Sequence, residues 1–369
     1  MSGMFLGSSP HIGTSATTAK IMGHVLIALG PLAVFGVVIY GIPALAVILV
    51  TTAASVAGEA VFRLVLRREN RSGDLSAAVT GFLLALTLPP ETPLWMAALG
   101  GLFAIVVAKE FFGGIGANVF NPALSGRAFL LMSFPAAITR WAVPGRAWGF
   151  SAGVDAVGGA SIMSGATPLA VARAGGGVSG VAANLFAAGL SSGEAYWDMI
   201  KTLFVGNRGG TIGESSILLI LAGFFYLLVT KVIDWRAPLA MTASAFALSF
   251  ILGMDPLFGL LGGGLCFGAV FMATDYSTAP LTANGKLVFG AGAGIITVLI
   301  RKWGGYPEGV TYGILIMNAA TPFLNRLIQK KYGFVKPAKA GKAKTAGQPE
   351  PSGKSESASS ASPAKGAAV

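Results

Sequence analysis

The sequence predicts an all-α integral membrane protein. About ten transmembrane helices form two five-helix inverted repeats, with a long outer-face loop between the halves. Three observations predict this. The mean hydropathy is +0.71 and charged residues make up 11% of the chain, against about 25% in soluble domains. Apolar segments of about 20 residues recur, the length a helix needs to cross a hydrocarbon core of about 30 Å, which argues for helices and not a barrel. The chain holds 52 glycines, and small residues let helices approach closely in lipid.

Taken in order, the first span is expected over Ile21–Tyr40 and the second over Pro43–Phe62. The third, Leu75–Leu88, is short and is ended by Pro89-Pro90, which cannot continue a helix. The fourth is Leu94–Ala108 and the fifth Ala123–Ile138. After a long interval come Ser215–Thr230, Pro238–Gly253, Pro256–Ala273, Leu287–Ile300 and Val310–Ile328. Several are shorter than a full crossing, so some are expected as half-helices. The chain divides into a cytoplasmic N-terminal segment (1–20), a first membrane half (21–138), an outer-face loop (139–213), a second half (214–333) and a tail (334–369). The tail is rich in Lys, Ala, Ser and Pro and is expected to be disordered, its lysines facing water or anionic lipid.

Orientation follows from Lys and Arg in short loops. Arg63, Arg67, Arg68 and Arg71 follow the second span, Lys109 and Arg127 flank the fourth-to-fifth connection, and Lys231 and Arg236 follow the sixth. Lys286 precedes the ninth span, and Arg326, Lys330 and Lys331 follow the tenth. With ten spans these all fall on one side, so that side and both termini are cytoplasmic. Arg301 and Lys302 fall on the opposite side as exceptions. The net charge of +11 sits largely in the tail and short loops, which argues against nucleic acid as a partner. An inverted repeat is suggested by position. The run Leu86–Pro93 resembles Ala273–Pro280, each lies between spans, and each is followed by an apolar span and a glycine pair, Gly113-Gly114 and Gly304-Gly305.

Cys266 is the single cysteine, so this chain builds neither a disulfide nor a Cys-ligated iron–sulfur or zinc site. The two histidines, His11 and His24, are too few for a His-based metal site. In the long interval, Ser164, Gly165 and Ala166 precede Thr167, and Pro168 pushes that threonine toward an extended backbone. The small neighbours leave its hydroxyl open to a bulky group, although such clusters are also ordinary loop chemistry. Asn118 and Asn121 lie in a glycine-rich turn ahead of Pro122; they read either as ligands of a cofactor edge or, for Asn121, as a helix cap. Asp275, Thr278 and Asn284 occupy the related turn of the second half, where a capped, solvated turn is the simpler reading. Glu59 is a carboxylate inside a span, a candidate for an ion path by default; the simpler reading pairs it with Arg63 one helical turn on. Glu110 beside Lys109 reads as an interfacial pair. His24 and Cys266 read as packing residues, and Trp95, Trp141, Trp197, Trp235 and Trp303 as interfacial anchors.

Five ordered segments then resemble one family: Ser8-Ser9-Pro10-His11, the run Phe112–Ala123, Ser164–Leu169, Thr274–Pro280 and Gly304–Val310. The chain is similar to the D subunit of the Rnf electron-transport complex and to its sister, the B subunit of the sodium-pumping NADH:quinone reductase. The match runs from Ser8 to about Gly333. The resemblance implies FMN joined by a phosphoester to the threonine of an S-G-A-T motif, here Thr167, placed there by a flavin transferase. It also implies riboflavin as a second, non-covalent flavin, for which Asn118, Asn121 and Asp275 are the candidates. Other membrane and peripheral subunits, with electron passage coupled to Na+ or H+ movement in a bacterial inner membrane, are implied in the same way. Position 161 is Ser, where family members often carry an acidic residue. Read without the resemblance, the sequence leaves a cofactor-free secondary transporter as the alternative.

Overall fold

A computed structural model describes residues 17–68, 72–139, 192–206, 210–305 and 308–328, all within a unit that ends at Gln329. Two long helices open it, α1 (Thr18–Tyr40) and α2 (Ile42–Val65). Gly41 joins them at φ 74°, a left-handed value that glycine adopts without a steric cost. Then follow α3 (Ser76–Leu86), α4 (Leu94–Leu102), which continues as a π turn over Phe103–Val107, α5 (Pro122–Ser133) and the short α6 (Pro135–Ile138). Helix α7 (Ser192–Val205) lies in the interval expected to be loop. The second part contains α8 (Ile217–Val229), α9 (Arg236–Ile251), α10 (Pro256–Leu261) and α11 (Leu265–Phe267). A second π turn, Gly268–Met272, extends α11, and α12 (Ala283–Trp303) and α13 (Val310–Ile328) follow. No strand occurs among the described residues.

Four helices are long and apolar enough to cross a membrane: α1, α2, α4 with its extension to Phe112, and α12. Helices α3, α8 and α9 are apolar but shorter. The sequence periods locate these elements closely, and Val310–Ile328 matches residue for residue. The expected eighth span differs. It breaks into α10 and α11 at Gly262, Gly263 and Gly264. The carboxylate of Glu214 packs where a side chain on Gly264 would stand, so only a glycine admits that approach.

Close packing rests on glycines at helix crossings. A side chain on Gly101 of α4 would meet Ser55 Oγ at 2.8 Å and the Thr51 carbonyl at 2.9 Å. Gly290 and Gly294 of α12 lie directly on the carbonyls of Ala237 and Met241 in α9. Between helices in lipid the attraction is van der Waals contact and hydrogen bonding, so such backbone approach carries the packing. Phe267, Phe289, Leu29 and Leu84 fill the fully buried core.

Cross-contacts show that the helices alternate in direction. Tyr40, at the end of α1, meets Ser215 ahead of α8, while His24, near the start of α1, meets Tyr226 near the end of α8. Asn121 at the start of α5 reaches the Met272 carbonyl, and Thr321 late in α13 reaches the Thr278 carbonyl. One end of the bundle therefore gathers Arg63, Lys109, Asn121, Asp275 and Lys286, and the other gathers Tyr40, Glu214 and Glu308.

Candidate functional site

Four charged side chains close the Arg63 end of α2 and α4. Glu59, Arg63, Lys109 and Glu110 are each buried. The pairing expected between the neighbours Lys109 and Glu110 does not form. The π turn and the turn after it aim both residues at α2 instead. Lys109 Nζ donates to Glu59 Oε1 at 3.3 Å and to Ser76 Oγ at 2.6 Å. Arg63 Nη2 donates to Glu110 Oε1 at 2.9 Å, and Arg63 Nε lies 3.3 Å from Glu59 Oε1. The intrahelical Glu59–Arg63 pair is thus present and is one edge of a neutral, buried network. Such a network is expensive to leave half-made, because removing one partner strands a charge away from water.

Beside it runs the glycine-rich turn. Gly113, Gly114 and Gly116 have φ of 113°, 94° and 89°, values that glycine alone adopts readily. A side chain on Gly114 would stand 3.0 Å from Arg63 Nη2, so the turn packs on the charged network. Asn121 Oδ1 accepts from the Leu124 N–H at 3.1 Å, which is the N-cap of α5, while its Nδ2 donates to the Met272 carbonyl at 3.4 Å. Asn118 Nδ2 donates to the Phe120 carbonyl at 3.2 Å. Asp275 accepts from Thr278 Oγ1 at 3.0 Å. Burial pushes its carboxyl above the usual range, against the opposing pull of Thr278, two backbone N–H groups and Lys109.

The tertiary structure brings Asn118, Asn121 and Asp275 together, as neither sequence spacing nor span order does. With Ser76, Lys109 and Ser277 they line a cavity of about 60 Å³. That space holds a few waters. It does not admit a tricyclic flavin ring unless the turn at Asn118 moves. Asp275 also borders a cavity of about 450 Å³ lined by Lys231, Asp234, Trp235, Tyr276 and Lys286. This one has the volume of a cofactor site. At its rim Asp234 accepts from Arg236 at 2.8 Å and from Lys286 at 3.3 Å, and these partners hold its carboxyl below the usual range although burial acts the other way.

A second buried cluster lies at the other end, and the sequence reading missed it. Arg127 counts in the sequence among the charges that flank the fourth-to-fifth connection, although it falls within the expected fifth span; it is buried in α5 and pairs with Glu214 and Glu308. Its Nη1 is 3.4 Å from Glu214 Oε1. The signal that could have found it was an arginine within an apolar helical period, which is costly unless paired. Arg301 and Lys302, the two exceptions to the charge bias, are explained locally. Arg301 turns inward to the Gly259 carbonyl of α10, and Lys302 Nζ reaches the Leu252 carbonyl at the end of α9 at 3.3 Å. Cations favour helix C-termini for the partial charge of the last carbonyls. His24 and Cys266 are packing residues: His24 Nδ1 lies 2.8 Å from Tyr226 Oη, and Cys266 Sγ donates to the Leu260 carbonyl. Trp95, Trp235 and Trp303 are exposed near helix ends, and Trp197 is exposed within α7. Ser164, Gly165, Ala166 and Thr167 lie outside the described residues, as does Trp141.

Comparison with known proteins adds identity to geometry. Residues 5–333 match the model of the NQR2, RnfD, RnfE family. The chain is 41% identical to the D subunit of the proton-translocating ferredoxin:NAD(+) oxidoreductase complex of Clostridium ljungdahlii, covering 89% of this chain and 96% of that one. It is 40% identical to the D subunit of the Na(+)-translocating ferredoxin:NAD(+) oxidoreductase complex of Acetobacterium woodii, over 92% of this chain and 98% of that one. A third relative, the D subunit of the ion-translocating oxidoreductase complex of Stutzerimonas stutzeri, is 38% identical over 85% of this chain and 92% of its own. Similarity of this extent over an all-helical, apolar frame has one reading: the chain is a multi-pass membrane protein belonging to the NQR2, RnfD, RnfE family.

Proposed function

We propose that this chain is the D subunit of an ion-translocating ferredoxin:NAD+ oxidoreductase complex and carries FMN esterified through its phosphate to Thr167. The observation that carries the assignment is the match of 89% of the chain to a relative named as that subunit. With a single cysteine, the chain builds no iron–sulfur cluster of its own, so electron passage through it calls for an organic redox group. FMN supplies one- and two-electron chemistry, and the chain supplies position and insulation from water. The Ser164-Gly165-Ala166-Thr167 run is the attachment site by resemblance, and a flavin transferase would complete it. A second flavin, bound without a covalent bond near Asp275, fits the larger of the two cavities by volume.

The alternating helices support ten traverses: α1 to α5, then α8, α9, α10 with α11, α12 and α13. The two halves, 21–138 and 214–333, share a packing device that supports an inverted repeat. Gly101 of α4 sits on Ser55 and a carbonyl of α2; Gly294 of α12 sits on Ser244 and a carbonyl of α9. The Lys and Arg of the Arg63 end favour that end in the cytoplasm of a bacterial inner-membrane protein, and the Thr167 loop outside.

The test is direct. The purified subunit should be yellow, with fluorescence that survives denaturing electrophoresis, and the peptide holding Thr167 should carry the mass of FMN less water. Thr167→Ala should abolish the in-gel fluorescence while the protein still inserts. An unmodified Thr167 peptide, from cells that express the transferase, would overturn the cofactor assignment and favour a flavin-free transporter.

A further inference from the structure

Two helices at the Arg63 end close on a basic residue where glycine is usual. After α2, the Arg68 N–H returns to the Arg63 carbonyl at 2.9 Å and the Arg67 N–H to the Leu64 carbonyl at 3.1 Å. This pair of bonds is a Schellman cap, in which a residue just past the helix is left-handed. Here that residue is Arg67, at φ 52°. After α8, Lys231 takes the same place at φ 56°, with Val232 returning to Leu227 and Lys231 to Leu228. After α9, at the opposite end of the bundle, the residue is Gly253 at φ 69°. A left-handed arginine or lysine is strained where a glycine is not. A cation elsewhere in the last turn also meets the carbonyl charge, so the helix end alone does not require one at the strained position.

Two residues before Arg67, Val65 lines an apolar groove of about 320 Å³. Ala57, Gly58, Val61 and Val65 of α2 form one side, and Leu102 and Val106 of α4 and its π turn form the other. From Ala57 to Val65 the groove follows α2 for about 12 Å, against about 15 Å for half a hydrocarbon core. Val61 and Val65 are exposed, so the groove opens outward, away from the bundle core. A helix is about 10 Å across and does not enter this volume over that length; a single hydrocarbon chain does. Charge at the Arg67 end is one-sided. Arg67 and Arg68 are exposed, and neither is in an ion pair among the described residues. The buried network of Glu59, Arg63, Lys109 and Glu110 holds two charges of each sign and does not offset them.

We propose that the groove between α2 and α4 holds one acyl chain of an anionic phospholipid, whose headgroup phosphodiester is bound by Arg67 and Arg68. Guanidinium groups match a phosphodiester in shape and charge. Basic sites between membrane helices on the cytoplasmic side take anionic headgroups in this way. A zwitterionic lipid brings its own cation to the phosphate, so the two arginines favour a lipid with net negative charge. The left-handed cap is retained because a glycine at position 67 would satisfy the helix end and bind no headgroup. The site depends on the chain lying in a membrane, and on neither the flavin nor the transported ion.

The experiment delipidates the full chain in detergent and titrates it with phosphatidylglycerol or phosphatidylcholine, counting bound lipid by native mass spectrometry. The native chain should hold its first phosphatidylglycerol more tightly than phosphatidylcholine. Arg67→Gly with Arg68→Gln keeps the left-handed cap and removes both charges. It should weaken the first phosphatidylglycerol by about fivefold per arginine, so about thirtyfold in all, with phosphatidylcholine little changed. Ala57→Phe fills the groove from an exposed position and should weaken both lipids with no change of charge. Equal affinity of the native chain for the two lipids overturns the proposal. So does native affinity for phosphatidylglycerol in either variant, and if one variant fails to purify the other decides. The same titration on the assembled complex separates a lipid from a protein occupant. Loss of the site on assembly would show a partner subunit covering the groove, and overturns the lipid.

Discussion

At the scale of single residues, Glu59 is held from two directions, by Lys109 and by Arg63, at 0% exposure. Sequence logic treats a carboxylate in an apolar span as an ion-path candidate, and the network shows how such a group is otherwise retained. Both oxygens of Glu59 face Lys109 Nζ, at 3.3 and 3.4 Å. Glu59→Gln should therefore act first on stability. Leaving Lys109 and Arg63 short of a counter-charge costs about 3 kcal/mol, read as a lower unfolding midpoint in detergent. Pairing it with Lys109→Met should restore part of that loss, since the second change removes the stranded cation. If Glu59→Gln is as stable as the native protein and only ion coupling falls, the carboxylate belongs to the ion path and not to the frame.

At the scale of elements, glycine placement decides which helices meet. Gly101 lets α4 lie on α2, with Ser55 Oγ and the Thr51 carbonyl where its side chain would be. A valine there has no rotamer that avoids the carbonyl, so α4 must move away. Gly101→Val should lose about 2 kcal/mol, typical of overpacking, and should lower the unfolding midpoint accordingly. Adding Ser55→Ala should recover only part of the loss, because the Thr51 carbonyl remains. Full recovery would show that the side chain alone sets the spacing. The break between α10 and α11 is of the same kind. Glycine removes the helical preference, and the Glu214 carboxylate occupies the space beside Gly264 at the break.

At the scale of the whole molecule, the two charged clusters mark opposite ends of the bundle. One is neutral and ties α2 to α4; the other ties α5 to the approaches of α8 and α13. The Lys and Arg bias favours the first end in the cytoplasm. A cysteine at Ser72, beyond that end of α2, should stay unlabelled by an impermeant thiol reagent in intact cells. One at Ser179, in the 139–213 interval, should label. The reverse pattern would invert the proposed topology.

Length, hydropathy and proline placement were enough for the helical class and most helix positions, because a lipid core leaves a backbone few alternatives to internal hydrogen bonding. Motif spacing also located the turn at Asn118–Asn121 and the turn at Asp275. Which polar groups meet is settled by packing alone. Arg127 reads as a charge flanking the fourth-to-fifth connection until α5 carries it to Glu214 and Glu308. Lys109 and Glu110 read as each other's partners until a π turn redirects both. Asn318 reads as one more residue of an apolar helix until its neighbours leave it unsatisfied. The reason is physical. Helical period follows from a residue's own neighbours in the chain, whereas pairing of buried charges depends on residues that are distant in sequence, such as Arg127 and Glu308, separated by 181 positions.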